Sequence, residues 1–140
     1  MTYKLAELPD LVTRLLAEHG HHRTYALLGE LGAGKTTLVA EYCRQLGVTE
    51  PTSSPTFSIV NRYTGAKGPV YHLDAYRLES IQEALDAGLE EIFTGHETCT
   101  VFVEWPRVIE DLLPENTVVL RLGHVAGGKA RTIEINTEKT

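Results

Sequence analysis

Gly29-Glu30-Leu31-Gly32-Ala33-Gly34-Lys35-Thr36 fits the pattern G-x-x-x-x-G-K-[ST] at every fixed position, and its reading decides the fold. The apolar run Tyr25-Ala26-Leu27-Leu28 leads into it and an amphipathic stretch leads out. Strand, glycine-rich loop and helix in that order make a phosphate-binding unit. A triphosphate needs many donors close together, and Gly29, Gly32 and Gly34 let the backbone curl, with Leu31 and Ala33, until its N–H groups face the anion. Lys35 would place an ammonium on the β- and γ-phosphates, the Thr36 hydroxyl would ligate the bridging Mg²⁺, and the Thr37 N–H would meet the α-phosphate. The helix that starts here adds the positive end of its dipole.

Composition bounds what surrounds this loop. A length of 140 residues fits one domain, 1–140, with a real core and no room for a second. The net charge of -6 and the scattered lysines and arginines advertise no sequence-independent grip on nucleic acid, so an RNA, if involved, is expected to be held by a partner. Cys43 and Cys99 are far apart in apolar stretches, which fits buried thiols in a reducing compartment better than a disulfide framework. The sequence has no leader pattern and no apolar run of about eighteen residues, so a cytoplasmic, membrane-free protein is expected.

Outward from the loop, Leu11, Val12, Leu15, Leu16 and His19 recur at helical spacing until Gly20, after start signals at Pro9 and Asp10. His19, His21 and His22 follow as a solvated helix end, without carboxylate or cysteine at ligand spacing. On the other side, Leu38, Val39, Tyr42, Cys43 and Leu46 share one helix face that Gly47 closes. Pro51 to Thr56 carries two prolines and four hydroxyls and reads as a loop, with Ser54 and Thr56 placed to sense a γ-phosphate. Phe57 to Tyr63 and Val70 to Leu73 read as a hairpin, and Ser80 with Glu83 marks a capped short helix. Thr98 to Val103 is the most β-prone run, with the unbroken apolar character of a strand covered on both faces. A helical piece from Arg107 to Leu113 and an antiparallel pair, Val118 to Leu122 and Thr132 to Ile135, complete the chain. The expected fold is α/β, a P-loop NTPase-type sandwich with a mixed, largely parallel central sheet and an antiparallel edge.

Two acids follow apolar strands, Asp74 and Glu104, and either is placed to reach a metal bound beside Thr36. Glu104 is favoured because its strand is the more continuously apolar and hence the expected neighbour of the loop strand. Asp74 would then hold a water near the γ-phosphate or fix Thr36 and Lys35. Lys35, Asp74 and Glu104 are the candidate catalytic residues.

Gly29 to Thr37, Ser54-Pro55-Thr56-Phe57, His72-Leu73-Asp74-Ala75-Tyr76-Arg77 and Val103-Glu104-Trp105-Pro106, in this order, resemble the TsaE family of bacterial P-loop ATPases. The resemblance covers nearly the whole chain. It implies ATP and Mg²⁺ as cofactors, Thr36 and Glu104 as metal ligands, Asp74 in support of hydrolysis and Trp105 on a functional or partner surface. It also implies Arg131 near the nucleotide. The implied pathway is the threonylcarbamoyl modification of adenosine 37 in tRNAs, carried out with TsaB-like and TsaD-like proteins. The preferred reading is an ATPase that acts as a nucleotide switch on those partners and is expected to be slow without them. A small-molecule kinase would need a second site and an arginine-bearing lid, a GTPase an Asn-Lys-x-Asp segment, and a purely binding module would show no stimulated turnover.

Overall fold

The computed structural model describes residues 1–30, 32–53, 59–95, 98–125, 127–128 and 130–137. Its frame is a seven-stranded sheet. The strands are β1 (Thr2–Lys4), β2 (Thr24–Leu28), β3 (Val60–Gly65), β4 (Gly68–Asp74), β5 (Thr100–Glu104), β6 (Val118–His124) and β7 (Ala130–Asn136). Their order across the sheet is β1-β7-β6-β2-β5-β4-β3. The middle strands β6, β2, β5 and β4 are mutually parallel, whereas β3 pairs antiparallel to β4 on one flank and β7 and β1 add antiparallel strands on the other. The expected largely parallel sheet is therefore flanked on both sides by antiparallel pairs. The opening residues, whose reading from sequence is open between strand and lead-in, form the edge strand β1, with Tyr3 opposite Arg131.

Side chains alternate across each strand, and this splits the core in two. Tyr25, Leu27, Phe102 and Leu120 face one side, where helices α1 (Leu8–His19) and α2 (Lys35–Gln45) contribute Leu11, Val12, Leu15, Leu38, Val39 and Tyr42. Ala26, Leu73, Val101 and Val103 face the other, under α3 (Ile81–Asp86), α4 (Leu89–Thr94) and a 3-10 segment, Pro106–Leu112. Each fully buried Leu, Val or Phe side chain stabilises the fold by about 1.5–3 kcal/mol. Residues Thr100–Glu104 are all buried, as their apolar run requires of a central strand. Ser80 caps α3 by accepting from the Glu83 N–H at 3.3 Å. Cys43 is buried, whereas Cys99 is only half-buried, because it lies in the connection just before β5 and not on a covered helix face.

The sheet order brings the carboxyl ends of β2, β5 and β4 side by side. Glu104 stands in register with Leu27 on one side and Asp74 on the other. Among the described residues, no helix is long and apolar enough to cross a membrane.

Candidate functional site

β2 ends at Leu28 and the loop departs at Gly29. A side chain at Gly29 would put its Cβ 2.7 Å from the Leu122 carbonyl oxygen, so only glycine lets the loop leave this close to β6. Gly34 adopts φ +97°, a left-handed conformation that turns the chain into α2, whose first residue is Lys35. The loop thus delivers Lys35, Thr36 and Thr37 on the first turn of a helix that the core holds rigid through Leu38, Val39 and Tyr42.

The three candidate catalytic residues converge on one cleft of about 490 Å³, lined by Gly32, Gly34, Lys35, Thr36, Thr37, Asp74, Arg77, Glu104, Trp105 and Arg131. Thr36 Oγ1 donates to Glu104 Oε2 at 3.3 Å. The Lys35 ammonium donates to the Gly29 carbonyl at 2.6 Å and lies over the Trp105 ring, 3.3 Å from its centroid. Burial lowers the Lys35 pKa, and the Glu104 and Asp74 carboxylates pull it back up. Asp74 accepts from the Tyr76 N–H at 3.0 Å, and the Ala75 N–H donates to the Glu104 carbonyl at 3.1 Å, which ties the ends of β4 and β5 together.

Trp105 follows Glu104 directly and sits at φ 55° and ψ 57°, left-handed for a residue that bears a Cβ. That turn throws the indole back over the loop, and Tyr76, 64% exposed, leans on its outer side at 5.1 Å between ring centroids. Arg131, on β7, reaches the cleft from the opposite flank while its Nη1 donates to the Gly128 and Ala130 carbonyls. Of the residues singled out from sequence, Leu31, Ser54 and Thr56 lie outside the described residues.

Two features of the site have no role assigned to them in the sequence reading. His72 is buried with its Nε2 2.5 Å from Glu104 Oε2. Its signal was present, because His72 precedes Asp74 by two residues and a strand puts such pairs on one face. The second is an adjoining, more apolar cleft of about 320 Å³ lined by Tyr3, Leu5, Leu8, Gly34, Thr37, Gly128 and Arg131. Gly34, Thr37 and Arg131 line both clefts, so the two adjoin at the start of α2. Nothing local in Thr2 to Leu8 says where that segment docks, since its partner strand lies more than a hundred residues away.

The donor set suits a hard divalent cation. A hydroxyl and an acid oxygen beside a lysine ammonium are the oxygen ligands and counter-charge that Mg²⁺ and a phosphate require.

Comparison with known proteins gives the family. Residues 2–133 match the family model described as threonylcarbamoyl adenosine biosynthesis protein TsaE. Proteins named tRNA threonylcarbamoyladenosine biosynthesis protein TsaE are similar. The one from Bacillus subtilis is 45% identical over 89 residues, covering 64% of this chain and 54% of that protein. The one from Nostoc sp. is 51% identical over 81 residues, covering 56% and 49%. The Treponema pallidum protein is 37% identical over 118 residues, covering 84% and 83%. The chain thus spans about half the length of the Bacillus and Nostoc relatives that it matches. The crystal structure of YdiB from Bacillus subtilis superposes with a TM-score of 0.73 at 30% identity, covering 100% of this chain and 84% of that one. With a family match over residues 2–133, the chain belongs to the TsaE family.

Proposed function

We propose that this protein is a Mg²⁺-dependent ATPase acting as a nucleotide switch on a TsaB–TsaD complex in the threonylcarbamoyl modification of tRNA adenosine 37. The observation that carries the reading is the convergence of Lys35, Thr36 and Glu104 at the end of the glycine loop, with Thr36 and Glu104 already 3.3 Å apart. The names of the relatives support the pathway, and the loop chemistry supports the nucleotide.

Loop N–H groups and the N-terminus of α2 would receive the phosphates. Lys35 would exchange its Gly29 and Trp105 contacts for phosphate oxygens, a stronger charge-assisted interaction. Thr36 and Glu104 would hold Mg²⁺, which when bound neutralises charge on the β- and γ-phosphate oxygens. Asp74, beside Glu104 in register, is placed to orient a water or to fix Lys35. The apolar cleft under Tyr3, Leu5 and Leu8 opens past Thr37, the residue expected at the α-phosphate, and so fits the base and sugar. Trp105 and the exposed Tyr76 form the surface on which a partner would read the state of Lys35.

The deciding experiment is ATP turnover by the isolated protein and by the protein with the TsaB–TsaD pair. Slow turnover that rises several-fold with the pair is expected. Equal rates remove the partner switch, and phosphate transfer to a metabolite replaces it with a kinase.

A further inference from the structure

Glu104 is a carboxylate only 4% exposed, and such a group is stable in the interior only when donors hold it. Two converge on the same oxygen, Oε2: the Thr36 hydroxyl at 3.3 Å and His72 Nε2 at 2.5 Å. A carboxylate only accepts, so the pairing assigns His72 the tautomer with its proton on Nε2, which donates to Glu104. His72 is itself 1% exposed, and its Nδ1 is buried without a hydrogen-bond partner among the described residues. The ring is therefore held by packing and by one polar contact, aimed at Glu104.

The two donors differ in what binding would do to them. If Thr36 turns its hydroxyl oxygen toward a metal, its bond to Glu104 is given up. Lys35, now held on the Gly29 carbonyl and over the Trp105 ring, would move toward the phosphates. His72 belongs to β4, clamped between β3 and β5, and has no such competing task. We infer that His72 is a positioning residue: its Nε2–H fixes the Glu104 carboxylate in the orientation that accepts Mg²⁺ when Thr36 and Lys35 turn to the nucleotide. The inference rests on the proposed Mg²⁺–ATP site. It extends that site from the metal ligands to the group that orients one of them, a dependence that is commonly worth ten- to a hundredfold in metal affinity.

The test measures binding of a non-hydrolysable ATP analogue in EDTA and across a Mg²⁺ titration, for wild type, His72→Phe and His72→Gln. Phe keeps a planar aromatic ring, slightly larger, without a donor, and Gln restores an amide donor near the Nε2 position. His72→Phe is expected to raise the Mg²⁺ concentration for half-maximal binding about tenfold or more. Affinity in EDTA should stay within about twofold of wild type, and His72→Gln should recover most of the loss. In a Glu104→Ala background, His72→Phe should add no further shift, because the group it orients is gone. If His72→Phe does not fold, His72→Asn, whose shorter amide falls away from Glu104, takes its place. Equal losses in EDTA and in Mg²⁺ would mean a packing role and overturn the inference, as would an unshifted Mg²⁺ midpoint or a Gln variant no better than Phe. A wild type whose analogue binding ignores Mg²⁺ would sink the site itself, an outcome separate from a failure of His72.

Discussion

The Lys35 ammonium lies 3.3 Å from the centroid of the Trp105 ring, and the residue that supplies the ring occupies a left-handed conformation at φ 55°. Such a backbone costs on the order of 1–3 kcal/mol, and a desolvated cation–π contact returns about 2 kcal/mol. The contact therefore helps hold Trp105 in place, and whatever draws Lys35 away loosens it.

Trp105 is the only tryptophan in the chain, so its emission reports this contact without interference. Adding a non-hydrolysable ATP analogue is expected to produce a saturable shift in emission, and Lys35→Ala should abolish it. A flat fluorescence titration under conditions where calorimetry shows binding would disprove the link between the two residues.

The roles of the two acids separate by their metal response. Glu104→Ala should remove the Mg²⁺ dependence of nucleotide binding, because it takes away the acid oxygen beside Thr36. Asp74→Ala should leave Mg²⁺-dependent binding in place and lower turnover by about a hundredfold or more, the usual range for a lost general base or water-orienting group. The reverse pattern in the two variants would exchange their assignments.

The apolar cleft beside the loop should distinguish ATP from its phosphates alone. Leu5 is 70% exposed at the mouth of that cleft, so Leu5→Ser leaves the core untouched. Removing about 1 kcal/mol of apolar contact should weaken ATP about fivefold while tripolyphosphate binding is unchanged. Equal losses for both ligands would place the base elsewhere.

Much of this site was legible before the structure because its parts obey short-range rules. The loop pattern, the helix face of Leu38, Val39 and Tyr42 and the fully buried run at β5 each follow from residue spacing, and β5 does lie next to the loop strand. What resisted reading was long-range pairing. Residues Thr2–Lys4 are too few to announce a strand, and they become one only because β7 offers an unpaired edge. The antiparallel pair of β6 and β7 is legible from its alternation, whereas the docking of β1 on it, and the cleft lined by Tyr3, Leu5 and Leu8, follow only from that long-range pairing. His72 was missed for a different reason. A lone histidine in an apolar strand is ordinarily core, and only the register of β4 against β5 sets its ring on Glu104.

The cysteines give a pH-dependent prediction. Burial pushes the Cys43 thiol up from 9.0 to about 12. A raised folded-state value means that the native chain keeps a proton that the unfolded chain releases. This contribution is complete below pH 9 and is lost as pH climbs toward 12. Lys35, lowered by burial, acts in the opposite direction, so the comparison to make is wild type against Cys43→Ala. The melting temperature of wild type should fall more steeply above pH 9 than that of the variant. At pH 8 a thiol reagent should modify half-buried Cys99 readily and Cys43 only on unfolding. Rapid modification of both thiols in the native protein would contradict the packing around Cys43.

The aromatic cluster under the sheet makes the sharpest claim about stability. Tyr42 packs against Tyr25 and Phe102 with ring centroids 5.0 and 4.9 Å away, yet its hydroxyl is buried with no hydrogen-bond partner among the described residues. Tyr25, by contrast, donates its hydroxyl to the Gly20 carbonyl at 2.7 Å. An unpaired buried hydroxyl costs about 1–3 kcal/mol, so Tyr42→Phe should keep every ring contact and raise stability by about 1 kcal/mol. Tyr25→Phe should lower it by a similar amount, since it strips the Gly20 carbonyl of a donor, and Phe102→Ala should cost about 3–5 kcal/mol through the cavity it leaves. Urea midpoints at unchanged slope give the three values directly. A destabilised Tyr42→Phe variant would show that the hydroxyl does find a partner in solution, and the stabilising sign predicted for this substitution would then be wrong.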